Sequence, residues 1–214
     1  MFRLFFATVL VVASFGQTAL ATEDPIFPML YHVDGVAEGG VLNIRAEPAM
    51  KGEVIGTLDA AARNVEVIEA QGGWGRINVH ERTGWVAMRF LSAPSNPWRD
   101  NGTPKLLRCF GTEPFWHATV DLSKQQLRLV NLAEGEVVKT QAIKHVVAGR
   151  YRTPTRAILS DDITLMVTPV QCSDGMSDYL YGLAANLITD QSPGGPRPRI
   201  LNGCCSVTNT LPHE

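Results

Sequence analysis

The residues able to do chemistry in this 214-residue chain gather in its second half. All four cysteines lie there: Cys109, Cys172, Cys204 and Cys205. A cysteine nucleophile needs a thiolate beside an oriented base. His117 and His145 are the histidines available between the centre of the chain and Gly203-Cys204, and both sit in strand-like runs. Zinc would call for Cys-x-x-Cys spacing or a nearby histidine pair, and neither occurs. Glu113, Asp174 and Asp178 could offer oxygen ligands to calcium, yet they lack the alternating acid spacing of a calcium loop. Asp174-Gly175 and Ser177-Asp178 suit turns instead, their side chains accepting from neighbouring backbone N–H groups. The expectation is therefore bridged cysteines, with no catalytic residue, metal or cofactor.

The N-terminus explains why bridges should form. Arg3 supplies a positive start, Leu4 to Phe15 is an apolar run, and Ala19-Leu20-Ala21 offers the small residues a signal peptidase reads. Residues 1–21 read as an export signal cleaved after Ala21. The run is short for a membrane span, and no cysteine near the cut could carry a lipid. A soluble, periplasmic or secreted chain with no membrane span is expected. In that oxidising setting an even set of cysteines pairs up. Adjacent Cys204 and Cys205 would point to opposite faces of a strand, which disfavours bonding to each other. Cys172–Cys204 with Cys109–Cys205 is the favoured pairing, and the swapped set stays open. Nineteen basic residues against 21 acidic, without a basic tract, exclude nucleic acid as a partner.

The elements that must position these residues are strands. Val54 to Leu58, Val65 to Ile68, Trp74 to Val79 and Thr83 to Val86 are short, alternating and separated by glycine or polar clusters. Trp116 to Val120, Gln126 to Val130, Ile163 to Val167 and Leu180 to Ile188 repeat the pattern. Val137 to Val147 fits helix or strand, and its β-branched content favours strand. Residues 93–103, with Pro94, Pro97 and Gly102, read as a linker, and Trp98 within it is expected to pack on a flanking domain. The expected fold class is all-β: a small barrel over residues 25–92, then a disulfide-bridged barrel or sandwich over residues 104–214.

The first of these segments resembles the bacterial SH3 domain. Leu42-Asn43-Ile44-Arg45 with Pro48, Val54 to Leu58, Gly73-Trp74, Arg76-Ile77, Thr83-Gly84-Trp85-Val86 and Phe90-Leu91 carry the resemblance. Gly73 and Gly84 are read as freeing the backbone at tight turns before each tryptophan. Two departures are Ala46-Glu47, where the family has a small residue and glycine, and Asp59 to Asn64, where it has a glycine. The resemblance implies a cell-wall peptide or an envelope protein as partner. Tyr31, Trp74 and Trp85 are the candidate stacking surfaces, with Arg45 and Glu47 as a polar rim; the competing role for both tryptophans is filling a small core.

The second segment resembles an uncharacterised exported bacterial domain with no activity attached to it. Gly111-Thr112-Glu113-Pro114-Phe115-Trp116, Cys172-Ser173-Asp174-Gly175-Met176-Ser177-Asp178 and Gly203-Cys204 carry that resemblance. Phe115 and Trp116 are expected in the core, sheltering the bridges. Gly203-Cys204 is also similar to the nucleophile segment of L,D-transpeptidases. The arginine expected after that cysteine is missing and no His-Gly precedes it, so catalysis is not expected. The reading is non-catalytic binding in the envelope, against two alternatives: a cell-wall enzyme or its regulator, and a small-ligand carrier with an apolar cavity.

Overall fold

The structure, a computed structural model, describes residues 25–131, 136–150, 153–189 and 198–208. The expected export signal lies outside the described residues. In the first half the strands are β1 (Met29–Val33), β2 (Val41–Arg45), β3 (Val54–Asp59), β4 (Val65–Val67), β5 (Glu69–Gln71), β6 (Trp74–Val79), β7 (Arg82–Ala87) and β8 (Leu91–Ser92). In the second they are β9 (Leu106–Thr112), β10 (Phe115–Asp121), β11 (Gln126–Asn131), β12 (Glu136–Ala142) and β13 (His145–Ala148). There follow β14 (Arg156–Leu159), β15 (Ile163–Cys172), β16 (Tyr181–Thr189) and β17 (Arg199–Thr208). The helical elements among the described residues are single 3₁₀ turns at Met88–Phe90 and Arg99–Asn101. The protein is all-β, as its alternating sequence predicts. The ambiguous run from Val137 to Val147 is strand on both sides of a short break.

The small barrel forms because two sheets share one strand path. One sheet has the order β4-β1-β8 and the other β3-β2-β7-β6-β5. Ile68, between β4 and β5, carries the chain from the first sheet to the second, and its N–H donates to Arg76 O at 2.8 Å. Alternation buries Leu42, Ile44, Val67, Ile77 and Val86 between the sheets. Gly73 takes φ +82° in the turn that opens β6, as expected of a turn glycine. Gly84 corrects the sequence reading, for it lies within β7 rather than at a turn. A Cβ there would stand 2.5 Å from Ile44 Cγ2 and 3.2 Å from Arg45 O, so glycine lets β2 pass close.

The second half is one antiparallel sheet in the order β12-β11-β10-β9-β17-β16-β15-β14-β13, curled into a half-barrel. Its curl follows from chain connectivity. β12 and β13 lie at opposite edges of the sheet, yet Ile143 and Lys144 alone link them. Three peptide steps reach at most about 11 Å, so the edges must come together. Polar contacts fasten the seam: Gln141 Nε2 donates to Asp162 Oδ2 at 3.0 Å, and Lys139 pairs with Asp162. The concave face holds Leu107, Trp116, Val120, Leu127, Leu165, Leu183 and Leu187. Phe115 departs from its expected core position and is 45% exposed, because it alternates with the buried Trp116 at the start of β10.

The favoured disulfide pairing is the observed one. Cys109–Cys205 joins directly opposed residues of β9 and β17, and Cys172–Cys204 ties the end of β15 to β17. Adjacent cysteines of one strand thus serve its two faces.

The halves pack into one core that includes Met29, Tyr31 and Val33 along with the sheet residues of the second half. The connecting segment is packed rather than slack. Trp98 is 2% exposed, and its Nε1 donates to Pro28 O at 2.9 Å. The buried Arg156 guanidinium stacks on the Trp98 ring 5.5 Å from its centroid and donates through Nε to Gly102 O at 2.8 Å. Elsewhere Asn78 donates to Leu180 O at 2.8 Å and accepts from Leu180 N at 3.2 Å.

Candidate functional site

On the barrel, the sequence-predicted site residues do not form one aromatic platform. Tyr31 on β1 and Trp85 on β7 are each 7% exposed and belong to the core, which corrects their assignment as stacking surfaces. Desolvation there pushes the Tyr31 hydroxyl above its ordinary pKa. The ring of Trp85 is also occupied from one side, because the Arg76 guanidinium sits 5.3 Å from its centroid. Arg76 is held in turn by Glu69 at 3.0 Å, and Gln171 of the second half donates to the other Glu69 oxygen at 2.5 Å.

Trp74, Arg45 and Glu47 remain at the surface. Trp74 is half-buried at the start of β6, opposite Ala87. Arg45 is paired with Trp85 across β2 and β7, and its Nη1 donates to Gly52 O at 2.7 Å, bracing the loop between β2 and β3. Glu47 and Met50 in that loop are exposed. Sequence reasoning missed Glu69 and Arg76 as the pair that caps Trp85, since nothing in their spacing reveals the register of β5 on β6.

In the second half, the three motifs singled out in the sequence converge on one cleft of about 520 Å³. The strand register explains its shape. Phe110, Cys204 and Ala184 form one cross-strand row over β9, β17 and β16, and Asn202 faces Asn186 in a parallel row with Thr112. Between the rows lies a floor of Gly111, Gly203 and Ala185. A Cβ on Gly203 would stand 1.9 Å from Phe110 O, and one on Gly111 would stand 2.1 Å from Trp116 Nε1. Trp116, buried on the opposite face, props the floor. Glu113 and the Cys172-Ser173-Asp174 loop wall the cleft.

That loop is rigid by construction. Asp174 Oδ1 accepts the N–H groups of Met176 at 2.9 Å and Ser177 at 3.0 Å. Burial raises the Asp174 pKa, but these bonds and the hydroxyls of Ser177 and Tyr181 outweigh it and hold the carboxyl below its usual range. The same carboxylate, after burial itself, helps push Tyr181 up to about 12. Thr112 Oγ1 reaches Asp174 O at 3.4 Å, tying the loop to β9. No group of three or more His, Cys, Asp or Glu placed to hold a metal occurs among the described residues. Both sulfurs at Cys204 and Cys205 are committed to bridges, so neither offers a thiolate here.

Residues 40–92 match the family described as Bacterial SH3 domain, from the start of β2 to the end of β8. The chain thus carries a bacterial SH3 domain at its N-terminal side, set against a disulfide-bridged half-barrel. No curated protein and no solved structure matches the chain.

Proposed function

We propose that this protein is an exported, non-catalytic binding protein of the bacterial envelope. Its barrel recognises peptidoglycan peptides, or an envelope protein offering a similar extended segment. The observation that carries the reading is the bacterial SH3 domain over residues 40–92. Two further observations support it. The paired disulfides fit an oxidising compartment outside the cytoplasm. With Cys204 bridged to Cys172, the thiolate that a transpeptidase-like reaction needs is absent. Among the described residues no helix is long and apolar enough to cross a membrane.

The binding face we assign is built round Trp74, with Glu47 and the braced Arg45 loop as its polar side. Of the four tryptophans, Trp85, Trp98 and Trp116 are buried and Trp74 alone is half-exposed. Tryptophan fluorescence therefore reports on this face. Titration with soluble peptidoglycan stem peptides is expected to shift the emission saturably, and Trp74→Phe to remove the shift. Glu47→Lys should weaken the peptide, whereas a flat titration at millimolar peptide would remove the peptide reading and leave a protein partner.

A further inference from the structure

The cleft on the second half contains groups the fold does not use. Gly111, Gly203, Trp116 and the cysteines are explained by packing and bridging. Glu113, Asn186 and Asn202 are not. Among the described residues their side chains make no hydrogen bond or ion pair, although all three line the cleft. A pair of facing asparagines on adjacent strands offers two amide N–H₂ donors and two carbonyl acceptors in one row. Open toward a concave space, such groups meet only water in the protein alone and are free to bond a ligand that displaces it.

The lining also sets the charge and size of what fits. Glu113 and Asp174 bring two carboxylates, and no lysine, arginine or histidine lines the cleft. Negative charge of one sign focused in a concavity attracts cations and repels anions. The volume, about 520 Å³, lies within the range of small-molecule sites. Its floor of Gly111, Gly203 and Ala185, with Ala184 beside it, leaves room for short aliphatic groups, and Phe110 is the one aromatic in its lining. Two disulfides, the Asp174 turn and the Trp116 prop fix the walls before anything binds, which lowers the ordering cost of binding.

We propose that this cleft is a second binding site, taking a small molecule in which a primary ammonium group stands close to a peptide-type amide, as at the amino end of a short peptide. Glu113 pairs with the ammonium, while Asn186 and Asn202 bond the amide across the floor. The site is independent of the barrel reading and stands or falls without it.

The test is a ¹H–¹⁵N NMR titration of the full chain with alanyl-alaninamide, which carries an ammonium and two amides but no carboxylate. The side-chain amide signals of Asn186 and Asn202 are expected to move saturably together. Acetylating the amino group should weaken binding by about threefold or more, because the ion pair with the exposed Glu113 is lost. Glu113→Gln and Asn202→Ala, both at exposed positions, should weaken it while the rest of the spectrum keeps its folded pattern. Shifts that never saturate, that are equal for the acetylated peptide, or that survive both substitutions would overturn the proposal.

Discussion

Gly203 is the residue on which the second half turns. Its missing Cβ leaves 1.9 Å to Phe110 O, a backbone atom that cannot step aside without moving β9. Gly203→Ala is expected to destabilise the protein by about 3 kcal/mol or more through overpacking, as read by urea unfolding. Gly72→Ala makes the contrast: open space surrounds the site, so the cost is only the strain of holding φ at +56°, about 1 kcal/mol. The tryptophans divide in the same way. Trp85→Ala should cost about 3–5 kcal/mol as a core cavity. Trp74→Ala should leave a folded protein with weakened binding. The sequence marks all of these positions but not their roles. Gly73 and Gly84 each precede a tryptophan, and only the strand register shows that one serves a turn and the other a close crossing. Trp85 reads equally as core or platform until Arg76 is seen over its ring.

At the scale of elements, the alternating runs disclosed the longer strands, because a half-buried strand must place apolar residues at every second position, but not β1, β5, β8, β9 or β14. The adjacent cysteines disclosed that β17 would be bridged on both faces. What stayed hidden was register. Asn186 and Asn202 carry no motif, and they meet only because β16 and β17 pair with Ala185 opposite Gly203. The two bridges should differ in weight. Cys109–Cys205 spans 96 residues and Cys172–Cys204 spans 32. Loop-closure entropy assigns about 4.7 and about 3.7 kcal/mol to them, so replacing the first pair by serine should lower the unfolding midpoint more.

The seam between β4 and β17 adds a pH dependence. Glu66 accepts the Val207 N–H at 2.6 Å, and burial pushes its pKa up to about 7 against the pull of that bond and of Ser206. The folded protein therefore holds a proton that the unfolded chain has released. The contribution is full below about pH 4.5, the ordinary value, and is lost as pH rises through about 7. Melting temperature should fall over that window, and Glu66→Gln should flatten the fall. An unchanged pH profile in the variant would contradict this account of the seam.

Across the whole molecule, the proline-rich segment does not act as a free tether. Trp98 is clamped between Pro28 and Arg156, Asn78 exchanges hydrogen bonds with Leu180, and one core runs through both halves. The prolines and small polar residues suggest slack, and Trp98, expected to pack on a flanking domain, is the residue that removes it. A protein so joined should unfold in one calorimetric transition, with equal calorimetric and van't Hoff enthalpies. Two separated transitions would show that the halves are independent. Rigid coupling also means that the Trp74 face and the Asn186–Asn202 cleft hold a fixed relation to each other.

The central claim, that the protein binds the bacterial wall through its barrel, is tested most directly by co-sedimentation of the full chain with purified sacculi. A Trp74→Ala, Glu47→Lys variant of unchanged circular dichroism would run beside it. The account predicts saturable pelleting of the native protein and its loss in the variant. Native protein that stays in the supernatant at every sacculus concentration would contradict it.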